Sequence, residues 1–124
     1  VDGIASGAYR YDPGEHGLEL LDREAGEADL GWLTFGQEWV DDAAVTIVIT
    51  GIDERTTGRY GDRGRRRYVP MEAGHAGENI YLQAESLGLS TVAVGAFRDA
   101  ALRDLLGVPE THRPLCVYPV GRRA

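Results

Sequence analysis

The stretch from Tyr68 to Phe97 constrains the fold more than any other part of the chain. Its first two thirds place small and apolar residues at three- and four-residue steps, which is the pattern of one α-helical face. These residues are Ala73, Ala76, Ile80, Ala84 and Leu87. Pro70 suits a first turn and Gly88 suits a left-handed C-cap, so the pattern predicts one long helix over residues 70–88. Residues 91–94 then predict a short buried strand.

The predicted helix contains two glycines, Gly74 and Gly77, three positions apart. A glycine inside a helix costs about 1 kcal/mol relative to alanine. Because residues three apart share a helix face, the pair predicts that another element approaches closely. The sequence leaves three candidates open for that element, namely another helix, a second subunit or a flat ligand.

The composition is that of one globular domain. The chain has 124 residues, of which 43% are hydrophobic and 27% are charged. Its net charge of −7 excludes a general role in binding nucleic acid. No apolar run reaches the roughly 18 residues of a membrane span, and the N-terminus has no signal-peptide pattern. The chain opens at Val1 without an initiator Met, which indicates a fragment or a processed chain.

The reactive residue types show no familiar arrangement. Cys116 is the only cysteine, so an internal disulfide is excluded and a cytoplasmic location is expected. Cys116 lies in a predicted strand, which favours a small buried hydrophobe over a nucleophile. His16, His75 and His112 lack ligand spacing, so we expect no metal site. Phosphate-binding glycine loops and the G-x-S-x-G nucleophile pattern are also absent.

The remaining segments predict alternating strands and helices. Residues 9–21 form a predicted hairpin around Pro13-Gly14. Residues 30–42 have helix-like spacing, with Gly36 weakening the pattern. Residues 43–52 are β-branched and apolar on both faces, which is typical of a central strand.

The C-terminal part predicts a helix followed by a last strand. Residues 98–107 form a short amphipathic helix, and residues 115–120 form a strand in which Pro119 indicates an edge position or a strand end. The predicted order is therefore β-β-α-β-α-β-α-β. This order predicts an α+β fold, with an antiparallel or mixed sheet that carries one dominant helix.

Residues 53–67 form a polar connection that is dense in arginine. One interpretation is a solvated helix start balanced by nearby acidic residues. The other is a contact with an anion or a substrate beside the long helix. The arginines in question are Arg55, Arg59, Arg63, Arg65, Arg66 and Arg67.

The order of short motifs resembles one flavoprotein family over nearly the whole chain. These motifs are Gly7-Ala8-Tyr9-Arg10-Tyr11-Asp12-Pro13, Gly36-Gln37-Glu38-Trp39-Val40, Arg59-Tyr60-Gly61-Asp62-Arg63-Gly64, Glu72-Ala73-Gly74-His75, the segment from Asn79 to Leu89, Val94-Gly95-Ala96-Phe97 and Val120-Gly121. They resemble the nitroreductase superfamily, specifically its SagB-type (azoline, thiazole/oxazole) dehydrogenase branch. The resemblance implies a nitroreductase-like α+β fold with one long central helix.

The resemblance also implies a cofactor and a quaternary structure. Proteins of this kind are FMN-dependent homodimers, with the flavin at the subunit interface and the long helix of residues 70–88 packed there. By the same resemblance, Val94, Gly95 and Ala96 lie along the isoalloxazine ring, and their backbone N–H groups can donate to its N5 edge. Arg122 and Arg123 are candidate contacts for the FMN phosphate, since guanidinium groups pair well with phosphate.

The expected chemistry is redox chemistry in which hydride passes through the flavin N5. Tyr60 is the candidate catalytic residue, because it can donate or accept a proton. The family's Lys-Tyr pair is replaced by Arg59-Tyr60, and an arginine cannot act as a general base. This replacement weakens the prediction of azoline oxidation on a peptide. It leaves NAD(P)H-dependent reduction of nitro compounds or quinones as an expected activity on small molecules.

Two further functions stay open. The family's N-terminal R-R-S-x-R and P-S-x-G segments are not found, so we expect a single domain over residues 1–124 that is incomplete at its N-terminal side and binds FMN weakly by itself. A flavin-free relative could serve as a binding or scaffold subunit. Alternatively, this chain could be one of the two chains of a flavoenzyme.

Overall fold

The computed structural model describes residues 1–123. All five strands lie in or beside segments that the sequence predicts as strands, and α3 and α4 match two of the predicted helices. The bounds are β1 (Ala8–Asp12), β2 (Gly17–Asp22), α1 (Leu30–Leu33), β3 (Val45–Ile52), α2 (Glu54–Tyr60), α3 (Val69–Ser86), β4 (Leu89–Thr91), α4 (Asp99–Leu106) and β5 (His112–Arg122). Short 3₁₀ turns at Glu24–Glu27 and Glu38–Val40 and a π-helical turn at Gly64–Tyr68 complete the described elements. The α+β fold class is confirmed.

A three-stranded antiparallel sheet organises the chain, in the order β3-β5-β4. β5 is its central strand, and it is buried on both faces. Val117 faces a core cluster with Leu102 of α4, whereas its neighbour Tyr118 faces α3. The sheet is therefore covered by α4 on one side and by α3 on the other.

The prediction that β3 is a central strand is wrong. β3 lies at an edge of this sheet and β5 lies at its centre, whereas Pro119 indicated an edge position or a strand end for β5. β4 ends opposite Val120, so no ladder hydrogen bond to β4 is lost at Pro119. The hydroxyl of Thr91 donates to the Pro119 carbonyl at 2.8 Å and completes the pairing there.

The predicted N-terminal hairpin is confirmed as the antiparallel pair β1 and β2, in which Tyr11 lies opposite Leu18. It forms a sheet of its own. Tyr11 and Leu18 are more than half exposed, so one apolar face of the hairpin stays uncovered by the described residues.

The prediction of one helix over residues 30–42 is wrong. α1 ends at Leu33, because Phe35 and Gly36 both adopt positive φ values, of 56° and 86°. The chain then folds back through the 3₁₀ turn. The Asp41 carboxylate accepts hydrogen bonds from the N–H groups of Leu30 and Gly31 at 2.8 and 2.9 Å, which satisfies the start of α1 from the far end of the segment.

The arginine-rich connection is helical rather than extended. It consists of α2 and the π-helical turn, which leads directly into α3. Pro70 lies in the first turn of α3, and Gly88 adopts a φ of +70° just after its end, as predicted. The short predicted strand at 91–94 is shifted, since β4 ends at Thr91 and Val94 only forms an isolated bridge with Val117.

The face that α3 buries is only partly the predicted one. Ala73, Gly77 and Ala84 are buried, whereas Ala76 and Leu87 are exposed. The element that approaches Gly77 is the ring of Tyr118 in β5, whose hydroxyl oxygen lies within contact of a Cβ built on that glycine. Gly74 faces open space. Within this chain the close approach at Gly77 is therefore that of a strand, which differs from all three candidates.

Candidate functional site

Tyr60 ends α2 and lies over a surface groove, which we call the Tyr60 groove. The side chain is 48% exposed, and its ring meets that of Tyr68 edge to face at 5.1 Å. The groove has a volume of about 450 Å³. It is lined by Thr56, Tyr60, Tyr68, Met71, Glu72 and His75.

Two arginines place positive charge above the tyrosine rings of this groove. The guanidinium carbon of Arg59 lies 5.4 Å from the centre of the Tyr60 ring. Arg63 lies over the Tyr68 ring and donates a hydrogen bond from Nε to its hydroxyl at 3.0 Å. The two guanidinium groups therefore lie where they can contact an anionic group of a ligand in this groove.

An ion cluster below the groove holds the π-helical turn. Arg113 donates to both carboxylate oxygens of Asp53, at 3.0 and 2.8 Å, and to the carbonyl of Arg65 at 3.1 Å. The hydrogen bond from Arg113, together with the charges of Arg113 and Arg65, holds the pKa of Asp53 below its usual value of 3.8. Since Tyr68 ends this turn, the cluster fixes one wall of the Tyr60 groove.

The arginine-rich connection contains ion pairs with nearby acidic residues, and its contact with an anion or a substrate stays a prediction. Arg65 approaches Asp53, and Arg66 pairs with Asp62 at 2.8 Å, which is the balanced, solvated arrangement. Arg59 and Arg63 instead cover the rings of the groove, where they can meet an anionic ligand.

The second candidate region is the segment Val92–Phe97, which we call the platform. Val94 is buried, and its N–H donates to the Val117 carbonyl at 2.8 Å, so that N–H is not available to a ligand. Gly95 and Ala96 are exposed, and within residues 1–123 neither N–H donates a hydrogen bond. A Cβ on Gly95 would have no neighbour within 4 Å. Two of the three expected donors therefore belong to exposed residues and have no partner among residues 1–123.

Arg122 lines a second groove, which we call the Arg122 groove and which has a volume of about 370 Å³. Trp39, Val92 and Pro119 give this groove apolar walls. Arg122 follows Val117 by five positions in β5, a separation of about 16 Å at 3.3 Å per residue. Arg122 and Gly95 can therefore contact only different ends of one elongated ligand.

Arg123 lies beside this groove and is already engaged. Its guanidinium forms an ion pair with Glu85 and donates from Nε to the Ser90 hydroxyl at 2.9 Å. Ser90 itself lines the Arg122 groove. A phosphate that bound Arg123 would have to compete with the Glu85 carboxylate.

The Tyr60 groove and the platform lie on opposite sides of α3. Met71 and His75 in the groove project from one side of the helix, whereas Gly77 and Ala84 project from the other side onto the sheet. One chain thus brings the platform and Arg122 together on the sheet and leaves Tyr60 apart from them.

The family model described as the nitroreductase family matches residues 4–122. The chain belongs to the nitroreductase family. The "Putative nitroreductase MJ1384" of Methanocaldococcus jannaschii is 44% identical over 124 residues, which is 99% of this chain and 61% of that protein.

Solved nitroreductase structures agree with the fold. A nitroreductase-like structure from Anabaena variabilis has a TM-score of 0.87 and 32% identity, and covers 99% of this chain but 25% of its own. The Escherichia coli microcin synthetase McbBCD complex has a TM-score of 0.79 at 23% identity, over 94% of this chain and 44% of that one, which shows a shared fold. The chain spans less than two thirds of each of these proteins.

Nitroreductases are generally FMN-dependent, and the residues of this chain fit part of that cofactor. Gly95 and Ala96 offer two unused N–H groups with no side chain in the way, which suits the edge of a flat heteroaromatic ring. Arg122 offers a guanidinium, and within residues 1–123 no carboxylate pairs with it. The described residues contain no cluster of metal ligands, and no described helix is long and apolar enough to cross a membrane.

Sequence reasoning missed three residues that shape these surfaces. Trp39 lines the Arg122 groove, Tyr81 accepts a hydrogen bond from the platform, and Arg98 stacks between two aromatic rings beside it. The position of Trp39 in a groove depends on the turn at Gly36, where φ is positive. Tyr81 and Arg98 have partners far away in the sequence, so no local spacing could have indicated them.

Proposed function

We propose that this chain forms the flavin-binding part of an FMN-dependent oxidoreductase, of the nitroreductase or SagB-type dehydrogenase kind. The observation that supports this proposal most strongly is the platform, where Gly95 and Ala96 present unused N–H groups next to open space. Glycine at position 95 is required for this purpose because any larger side chain would occupy the space of the ring.

The residues divide into three roles in this proposal. When bound, FMN accepts and delivers hydride at its ring N5. The N–H groups of Gly95 and Ala96 orient the ring edge, and Arg122 holds the phosphate at the other end of the ligand. Tyr60 transfers a proton to or from the substrate, assisted by the positive charge of Arg59.

A homodimer through the 70–88 helix is part of the proposal. Because α3 separates Tyr60 from the platform within one chain, Tyr60 can act only on a ligand held by a second copy. The outer side of α3 supports such pairing, since Met71 is 50% exposed and Leu82 is 62% exposed. The site is thus incomplete without the partner subunit.

The preferred reaction is reduction of a nitro compound or a quinone by NAD(P)H. Azoline oxidation needs a group that removes a proton from the substrate, and Arg59 cannot do this because its guanidinium stays protonated. Tyr60 would have to act alone in that reaction. Two assays distinguish these reactions: NAD(P)H oxidation in the presence of a nitroaromatic, and oxidation of a thiazoline peptide.

The test is the visible spectrum of the protein after FMN is added and the unbound part is removed by desalting. Retained flavin absorbance for the natural sequence would support the proposal, together with at least tenfold weaker FMN binding for Gly95→Leu and about tenfold weaker binding for Arg122→Gln, the loss of one charged hydrogen bond. Gly17→Leu in the hairpin is the matched control, because the atom nearest to a Cβ at Gly17 is the Glu15 carbonyl oxygen, 3.9 Å away. A folded but colourless protein would contradict the proposal for this chain.

A flavin-free binding or scaffold subunit is the second candidate. The observation that favours it is the ion pair between Arg123 and Glu85, which leaves Arg122 as the sole described guanidinium open to a phosphate at this groove. A colourless protein that becomes yellow only when a second chain is added would instead identify one half of a two-chain flavoenzyme.

A further inference from the structure

We propose that Tyr81 and Arg98 are positioning residues that hold the platform in a preformed conformation from its two ends. This inference rests on the proposed function, because it assigns to these residues the orientation of the Gly95 and Ala96 N–H groups. Neither residue has an atom within 4 Å of a Cβ built on Gly95, so both act through the backbone.

The N-terminal end of the platform is fixed to α3. The N–H of Ala93 donates to the hydroxyl of Tyr81 at 2.7 Å. The Tyr81 ring packs edge to face on Tyr118 at 5.9 Å, and Tyr118 is only 4% exposed. The buried Tyr118 ring therefore fixes the Tyr81 side chain, and the Tyr81 hydroxyl in turn fixes the Ala93 N–H.

The C-terminal end is fixed to the segment after α1. The guanidinium of Arg98 lies between the rings of Trp32 and Phe35, at 4.5 and 4.6 Å from their centres. Its Nε donates to the Trp32 carbonyl at 3.1 Å, and its backbone N–H donates to the Leu33 carbonyl at 2.8 Å. This stacked arrangement uses the planarity of arginine and is unavailable to lysine.

The conformation of Phe35 supports a specific purpose for the stack. Phe35 adopts a φ of 56°, a left-handed conformation that is uncommon for a residue with a bulky side chain. Such conformations persist where the surroundings enforce them and are concentrated at functional sites. In this chain it brings the Phe35 ring onto Arg98.

Between the two ends, the N–H groups of Gly95 and Ala96 have no partner among the described residues, whereas the Ala96 carbonyl accepts a hydrogen bond from Gln37 Nε2 at 3.5 Å. Val94 is bridged to Val117 in both directions, and Phe97 is buried in the core. A ligand that binds the two free N–H groups therefore meets donors that are already oriented, and it does not have to order a loop. Preorganised donors are the usual way in which proteins make such contacts effective.

The first experiment measures backbone order without a flavin. In the ¹⁵N relaxation of the free protein, we expect order parameters for Gly95 and Ala96 near those of rigid backbone, about 0.85. They should fall towards about 0.6 in Tyr81→Phe and in Arg98→Lys. Tyr9→Phe is the matched control, since it removes an equally short hydroxyl hydrogen bond, at 2.7 Å to the Ala5 carbonyl, from the remote hairpin.

The second experiment uses the protein loaded with FMN labelled with ¹⁵N at N5. Tyr81→Phe and Arg98→Lys should weaken FMN binding about fivefold, which corresponds to one net hydrogen bond, and should shift the N5 resonance. A role confined to stability would leave the N5 resonance unchanged. Trp32→Phe keeps a ring against Arg98 and should retain the natural N5 signal.

The two proposals fail in different ways. If the natural sequence binds no FMN, the proposed function fails, while the order parameters of the free protein still test the positioning. If Tyr81→Phe and Arg98→Lys leave Gly95 and Ala96 as rigid as Tyr9→Phe does, the positioning role is wrong even where FMN binds.

Discussion

The two glycines of α3 should respond in opposite ways to the same substitution. A Cβ at Gly77 would overlap the hydroxyl oxygen of Tyr118 and would lie 2.7 Å from its Cζ, whereas a Cβ at Gly74 would meet no atom within 4 Å. Both variants gain about 1 kcal/mol of helix propensity. Overpacking of a buried site costs about 1–3 kcal/mol, and only Gly77→Ala incurs this cost. The difference between the two variants therefore isolates the overpacking.

The assay is urea denaturation of Gly74→Ala and Gly77→Ala beside the natural sequence. We expect Gly74→Ala to raise the free energy of unfolding by about 0.5–1 kcal/mol, and Gly77→Ala to lie about 1–3 kcal/mol below Gly74→Ala. Adding Tyr118→Phe to Gly77→Ala should recover much of the loss, since it removes the atom nearest to the new methyl group. Equal stabilities of the two single variants would refute the packing described for α3.

Three further predictions concern stability. Asp53→Asn should lower the free energy of unfolding by about 2 kcal/mol at neutral pH, the value of charged hydrogen bonds to Arg113. A carboxyl whose pKa is lowered on folding stabilises the protein above its unfolded pKa, and this stabilisation is lost as the pH falls. The same variant should therefore abolish this acid-dependent loss of stability. Burial, with the neighbouring Cys116 thiol, raises the pKa of Tyr118 from 10 to about 12. The contribution of Tyr118 to the free energy of unfolding should therefore be constant below pH 10 and fall by about 2–3 kcal/mol between pH 10 and 12, a fall that Tyr118→Phe removes. Leu102→Ala in the core should cost about 2–5 kcal/mol in urea denaturation, whereas Ile4→Ala at an exposed position should change stability by less than about 0.5 kcal/mol.

Local pattern was sufficient for the elements whose signals are local. The hairpin, the strand β3, α3 and α4 all lie within a few residues of their predicted bounds. Gly88 and Gly107 adopt the left-handed conformation expected after a helix. Each of these predictions depends on periodicity or on a turn residue, which the sequence shows directly.

The predictions that failed depend on contacts between distant residues. Burial of β5 on both faces comes from α3 and α4, so the strand is central in spite of Pro119. The start of α1 depends on the carboxylate of Asp41, which accepts from N–H groups ten and eleven positions earlier. Helical periodicity over residues 30–42 contains no information about that contact.

For the candidate site, too, the motifs identified residues but not the contacts that these residues make with distant parts of the chain. Gly95, Ala96 and Arg122 came from the order of motifs, which preserves chemistry along the chain, and their roles stay predictions. The motifs did not indicate that the Val94 N–H is used by the bridge to Val117, or that Arg123 pairs with Glu85. They also placed Tyr60 in the same site, whereas α3 lies between Tyr60 and the platform.

The packing of α3 and the order of the platform depend on the same chain of contacts. Gly77 lets the Tyr118 ring approach α3, the Tyr118 ring supports Tyr81, and the Tyr81 hydroxyl holds the Ala93 N–H. A methyl group at Gly77 must displace the Tyr118 ring, and this displacement moves the support of Tyr81. Gly77→Ala should therefore lower the order parameters of Gly95 and Ala96 as well as the stability, although it lies on the helix and touches no platform residue. Gly74→Ala, on the same helix, should leave the order parameters of Gly95 and Ala96 unchanged. The two variants together therefore separate transmission through the tyrosines from a general effect on α3.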